Sequence, residues 1–224
     1  MDCRLNMHWP SAFFIVNGIG ISLQYTLISL SISCLLGVLF ACIQVNANKI
    51  VAILIQAYIS IFRGTPLLVQ LCLIYFALPS ITNITITGFT AGIITFSLNS
   101  AAYVSEIIRG GIQNIDKGQF DACRTLNIPY FFKMKDIILP QALRATFPAL
   151  TNEMTSLLKE TALISTIGEA DIMRRAHLVS IEHYIYFEPL LIAAGCYYCL
   201  VLLINIGAKH IEKKICHDNH FKSQ

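Results

Sequence analysis

Three long stretches of this chain carry no Asp, Glu, Lys or Arg: between Arg4 and Lys49, between Arg63 and Glu106, and between Glu188 and Lys209. A helix needs roughly 20 apolar residues to cross the hydrocarbon core of a bilayer, so each gap holds at least one crossing. Only 13% of the 224 residues are charged and 55% are hydrophobic, whereas an ordinary soluble domain carries about 25% charge. Soluble helices also keep a polar face, which these stretches lack. Short alternating strands, the mark of a membrane β-barrel, do not occur. The expected fold class is therefore all-α: a polytopic integral membrane protein forming one transmembrane domain over residues 1–224.

Five crossings are expected, because lipid leaves helix as the only way to satisfy the backbone of such segments. They lie within Ser11–Ile43, within Ile50–Leu78, and at about Ile86–Ile108, Ala145–Ile167 and Pro189–Ala208. The first run exceeds one span, so its start near Asn17–Gly20 is placed at the interface. Gly110 and Gly111 read as the break out of the third span. With the N-terminus outside and the C-terminus cytoplasmic, the inner side receives Lys49, Arg109, Lys117, Arg124, Lys133, Lys135, Arg144, Lys209, Lys213, Lys214 and Lys222. The outer side receives only Arg4, Arg174 and Arg175. The positive-inside rule selects this orientation. The N-terminus lacks the basic start and small-residue cleavage site of a removable signal.

The remaining composition excludes several functions. A net charge of +3, placed at segment ends, does not indicate nucleic-acid binding. Cys34, Cys42, Cys72, Cys196 and Cys199 lie in apolar runs and are read as small hydrophobes, including the Cys196–Cys199 CxxC. His210, His217 and His220 sit in a polar tail without compact ligand spacing, so no metal site is expected. No span contains the histidine or paired aspartates of a membrane protease.

Charges at membrane depth cost about 2.5–3.5 kcal/mol or more each on insertion scales and usually face a cavity. On a helical wheel of the fourth segment, Lys159, Asn152, Ser156, Glu160 and Glu153 fall within an arc of about 120°. The stripe offers an anion for an ammonium and a cation for a carboxylate. The alternative is that these charges pair with one another, or that Lys159 snorkels to the interface. Arg63-Gly64-Thr65-Pro66 is a second candidate. Pro66 removes a helical hydrogen bond and turns Thr65 from helical geometry, and Arg63 is suited to bidentate capture of a carboxylate. An Arg63 at the inner interface touching lipid phosphate is the competing reading. Asn99, Ser100, Tyr103 and Glu106 form a weaker polar set in the third span, explained as well by packing.

A charged loop between apolar segments, Gly118–Pro140 with sequence GQFDACRTLNIPYFFKMKDIILP, points to a cytoplasmic partner. Gly118–Leu126 forms a short helix, Asn127 turns the chain through left-handed geometry, and Pro129 opens the next piece. GQFDACRTLN followed by IILPQALR resembles the "EAA" loop of ATP-binding-cassette (ABC) importer permeases. IFRGTPLLVQLCLIYFALP at Ile61–Pro79, SLNSAAYVSEIIRGGI at Ser97–Ile112 and LLKETALISTIGEADI at Leu157–Ile172 are similar to the polar amino-acid permeases of that superfamily. The likeness covers most of the chain after about Gly18, and leans to the glutamine permeases of bacteria.

The resemblance implies a type I importer permease in the bacterial inner membrane. Gly118, Gln119, Asp121, Ala122, Asn127, Leu139 and Pro140 then belong to the ATPase-coupling loop, taken at about residues 109–144. The substrate path is lined by Glu153, Ser156, Lys159, Glu160, Thr161, Arg63, Thr65 and Asn99. The implied partners are a second permease (identical or not), a cytoplasmic ABC ATPase dimer and an extracytoplasmic amino-acid-binding protein. No Gly-x-x-x-x-Gly-Lys-Ser/Thr phosphate loop occurs. Accordingly this chain is expected to bind no cofactor and to be no enzyme, with ATP and Mg on the partner ATPase. Asp121, Cys123 and Asn127 stand where the family has Glu, Ala and Gly, so a co-adapted ATPase is expected. The competing function is a secondary transporter or channel working without an ATPase; the lack of an internal repeat argues against it.

Overall fold

The computed structural model describes residues 9–46 and 49–220, with side chains described for 10–45 and 49–214. Arg4, Lys222, His217 and His220 lie outside the described side chains. The helices are α1 (Trp9–Val16), α2 (Ile19–Asn46), α3 (Lys49–Gly64), α4 (Leu67–Cys72), α5 (Leu78–Thr82), α6 (Gly88–Gln113), α7 (Lys117–Thr125), α8 (Tyr130–Phe132), α9 (Leu139–Glu160), α10 (Ile172–His183) and α11 (Phe187–His220). No strand occurs among the described residues.

Three of these helical stretches are long and apolar enough to cross a bilayer: Pro10–Val45, Gly88–Gln113 and Phe187–Lys214. Lys49–Gly64 and Leu67–Thr82 pass together as one broken span, with the break at Thr65–Pro66 where the sequence places it. The fourth expected crossing, Ala145–Ile167, is not among them. There α9 carries Glu153, Lys159 and Glu160 and ends at Glu160; Thr161–Ile167 continues as a 3₁₀ helix. Thr161, Ser165 and Thr166 donate their hydroxyls to the carbonyls of Leu158, Ala162 and Leu163 at 2.6–2.7 Å. These bonds occupy the carbonyls that a tight turn leaves. Gly168, at φ +91°, then ends the run in a geometry that glycine adopts without strain. Gly110 and Gly111 do not end the third span: α6 continues to Gln113, and Gly111 lies against Thr146 and Ala142.

Two π-helical turns, Leu73–Ala77 and Lys133–Ile138, each stop one residue short of a Leu-Pro proline, Pro79 and Pro140. A proline clashes with the carbonyl four residues back. A widened π turn is one way to relieve that clash without ending the helix.

The chain divides into two compact units. The first comprises the described parts of Met1–Leu30, Pro66–Ser97 and Met154–Asn205. Its packing centres on Tyr25, Leu71, Phe96, Leu157 and Ile164, with a second cluster of Ile15, Ile172, Ala176, Val179 and Ala193. Asp171 is fully buried there. Its carboxylate caps α10 by accepting from Arg174 N at 2.8 Å and accepts from the Tyr197 hydroxyl at 3.1 Å. Burial pushes this carboxyl above the usual carboxylate range, while those donors pull the other way.

The second unit comprises Ser31–Thr65, Leu98–Glu153 and the described part of Ile206–Gln224. Ala41, Val104, Ile108, Ile112, Met134, Ile138 and Ala142 form its core. Lipid tails are as apolar as these side chains, so close packing rather than the hydrophobic effect holds the helices together. Gly37 on α2 shows this. A Cβ there would stand 2.5 Å from Val104 Cγ1 on α6 and 2.8 Å from Val104 Cβ. Gly37→Ala is expected to cost about 1–3 kcal/mol through this overlap. It should lower the melting temperature of the purified protein, and adding Val104→Ala should recover part of the loss. A Gly37→Ala protein that melts like the wild type would rule out the contact.

Candidate functional site

The candidate coupling loop is built from its caps inward. Asp116 Oδ1 accepts from the Gly118 amide at 2.6 Å and starts α7, a side-chain cap of the usual kind. Asn127, at φ +55°, ends it. The Ile128 amide donates to Cys123 O and the Asn127 amide to Arg124 O, both at 3.0 Å. This is a Schellman closure, the reason helices end on a residue that tolerates left-handed geometry. The expected helix, Gly118–Leu126, is thus observed at Lys117–Thr125, one residue earlier at each end.

One face of this segment is tied to the second unit's core. Cys123 is buried, Phe120 and Tyr130 pack against the core cluster, and the Tyr130 hydroxyl donates to Cys42 O at 2.9 Å. Lys133 Nζ lies 5.2 Å from the Tyr130 ring centre and 5.8 Å from that of Phe120. Leu139 packs on the same cluster, and Pro140 is half-buried. The other face is open: Gly118, Gln119, Asp121, Ala122 and Asn127 are exposed. Asp121 pairs with Arg124 at 3.4 Å, both side chains more than two-thirds exposed; such a pair contributes little to stability and leaves the carboxylate available to another group.

The candidate substrate-path residues divide between the two units. In the second unit, Arg63, Thr65, Asn99 and Glu153 are drawn together by α3, α6 and α9. The break after α3 frees backbone carbonyls, and side chains take them. Thr65 Oγ1 donates to Ile61 O at 2.8 Å, and the buried Asn99 Nδ2 to Phe62 O at 3.0 Å. Tyr58 OH, from the same helix, donates to Leu98 O at 2.5 Å. Glu153 is met by a hydroxyl: Ser100 Oγ donates to its Oε1 at 2.7 Å. The side chain of Arg63 is 43% exposed.

In the first unit, Ser156, Lys159 and Glu160 line a surface hollow with Ala162 and Leu163. Lys159 is exposed and Ser156 and Glu160 half-buried. Thr161 is fully buried, with its hydroxyl on Leu158 O, so its side chain serves the 3₁₀ turn. The single stripe read along α9 is therefore served by two different packing environments.

Three features escaped the sequence reading: the Asp116 cap, the Ser100–Glu153 bond and the Glu106–Arg109 pair. Asp two residues before Gly118, and Glu three residues before Arg109, were signals for the first and third. The Ser100–Glu153 bond spans 53 positions and has no local signal. Among the described residues no group of three or more His, Cys, Asp or Glu side chains is placed to hold a metal ion.

Residues 33–217 match the family described as the inner membrane component of binding-protein-dependent transport systems, and the chain belongs to that family. It is 55% identical over 207 residues to a Rickettsia typhi protein named "Putative glutamine transport system permease protein GlnP", covering 92% of this chain and 95% of that one. It is 43% identical to the arginine transport system permease protein ArtQ of Bacillus subtilis, covering 92% and 94%. An amino acid ABC transporter crystallised with histidines superposes with a TM-score of 0.82 at 38% identity, covering 90% of this chain and 94% of that one. A chain of the MetNI methionine ABC transporter, at 19% identity, shares the fold with a TM-score of 0.83 over 93% and 99%.

Replacing Asn99 by Leu removes the amide that donates to the Phe62 carbonyl. The expected cost is about 0.5–1.5 kcal/mol, the net worth of one hydrogen bond, read as a lower melting temperature of the purified protein. An unshifted melting curve would show that the break does not depend on Asn99.

Proposed function

We propose that this chain is the membrane permease of an ATP-driven amino-acid importer with glutamine as its principal cargo, lodged in a bacterial inner membrane with its C-terminus in the cytoplasm. The observation that carries the reading is α7: a capped helix fastened to the core of the second unit, whose outward edge of Gln119, Asp121 and Ala122 is left for a partner. In a family of binding-protein-dependent transporters, that partner is a cytoplasmic ATPase dimer, which holds ATP and Mg. A second permease, identical or not, completes the membrane part, and an extracytoplasmic binding protein delivers the amino acid. The chain's likeness to the Rickettsia typhi protein named for glutamine exceeds its likeness to the arginine permease, 55% against 43%, which supports glutamine as the cargo.

Membrane charges in this reading line the route of the amino acid. Glu153 and Arg63 contribute from the second unit; Ser156, Lys159 and Glu160 contribute from the first. Closure of the ATPase on ATP moves α7, and α7 moves the core into which Phe120, Cys123 and Tyr130 are packed.

Proteoliposomes holding this chain, its ATPase and its binding protein are expected to accumulate labelled glutamine only with internal ATP. Arginine or histidine should compete less well. Accumulation that persists without ATP and collapses with the ion gradient would instead establish a secondary transporter. Asp121→Arg is expected to abolish uptake while the protein still purifies as a folded species, because it puts the wrong charge on the docking edge. Normal uptake by that variant would remove Asp121 from the docking role.

A further inference from the structure

The second unit holds a charge arrangement that the assignments above leave unused. Glu106 receives both arms of Arg109: Nε donates to Oε1 at 2.9 Å and Nη2 to Oε2 at 2.7 Å. This bidentate geometry commits both carboxylate oxygens to one guanidinium. Arg63 approaches the same carboxylate only to 4.0 Å, outside hydrogen-bond range. Its other neighbour is the Tyr103 ring, whose centre lies 5.1 Å from the guanidinium carbon. An aromatic face attracts a cation but carries no net charge to cancel it. Arg109 therefore takes up the hydrogen-bonding capacity of Glu106 and leaves the Arg63 guanidinium without a hydrogen-bonded carboxylate, a geometry that suits an anionic ligand.

The surroundings hold Arg63 in place. Asn99 on the Phe62 carbonyl and Tyr58 on the Leu98 carbonyl fasten the end of α3 to α6. The helix stops at Gly64, one residue after Arg63, so the Arg63 side chain is carried on a backbone fixed to α6 by these two polar contacts. A group of opposite sign is near: Glu153, hydrogen-bonded to Ser100 at 2.7 Å, lies within electrostatic reach of Arg63. A zwitterion needs one of each.

We infer that Arg63 binds the carboxylate of the transported amino acid, and that Glu106, already saturated by Arg109, is the positioning residue that keeps Arg63 oriented without neutralising it. Glu153 is then the partner of the ammonium. This assigns the carboxylate to the second unit rather than to Lys159, and it rests on the importer reading.

The test is equilibrium binding of labelled L-glutamine to the purified permease–ATPase complex without binding protein, alongside ATP-driven uptake by the wild type in proteoliposomes. Arg63→Gln is expected to weaken binding about tenfold or more, the loss of one charge-assisted hydrogen-bonded contact. Arg63→Lys should retain more affinity than Arg63→Gln, since it keeps the charge. Glu106→Gln should weaken binding less than Arg63→Gln. Glutamine α-amide, which lacks the carboxylate, should compete poorly against wild type and nearly as well as glutamine against Arg63→Gln. Each variant must still assemble with the ATPase on gel filtration; failure of Arg63→Lys to assemble would mark a structural role and overturn the inference. Arg63→Gln binding like wild type, or unchanged discrimination against the amide, would overturn it too. Absence of ATP-driven uptake by the wild type would instead overturn the importer reading.

Discussion

A backbone carbonyl released inside hydrocarbon has no water to bond, and two departures from α-helix in this chain are governed by that fact. At Thr65–Pro66 the freed carbonyls of Ile61 and Phe62 are taken by Thr65 and Asn99. After Glu160 the tightened turn is lined by Thr161, Ser165 and Thr166, which give their hydroxyls to carbonyls three residues back. Irregular backbone is thus bought with side-chain hydrogen bonds, and the two places where this happens border the polar residues proposed to meet the substrate.

The second dependence is mechanical. Phe120, Tyr130, Met134 and Ile138 belong to, or pack against, the same cluster as Ala41 on α2 and Val104 on α6. Protein interiors at this density transmit displacement rather than absorb it. A partner that grips the open edge of α7 therefore acts on the spanning helices directly. The open edge is held by two caps, Asp116 and Asn127, so its shape is set before a partner arrives.

Much of this was legible beforehand. The charge-free gaps marked the apolar spans, Pro66 marked the break, and Asn127 marked the end of α7, because each rests on a local rule of solvation or of φ. The stripe on α9 was legible as a pattern, but not what each of its members meets. Periodicity shows which residues share one helix face, but not what packs against that face. Thr161 lies next to that stripe in sequence, yet its hydroxyl is used by the 3₁₀ turn. Ala145–Ile167 was read as one crossing helix with a polar stripe, whereas it divides after Glu160 into an α and a 3₁₀ part.

By itself, the sequence determined the all-helical membrane class, the break at Thr65–Pro66 and the end of α7 at Asn127, since these follow from solvation energies and backbone geometry acting over a few residues. Only the tertiary structure decided the charge pairing. Arg63 on α3 is brought to the Glu106 carboxylate that Arg109 already holds, Ser100 rather than a cation meets Glu153, and Asn99 closes a carbonyl 37 positions away. Those choices depend on distances between helices far apart in the chain, and Coulomb and hydrogen-bond energies fall too steeply with distance for sequence spacing to stand in for them.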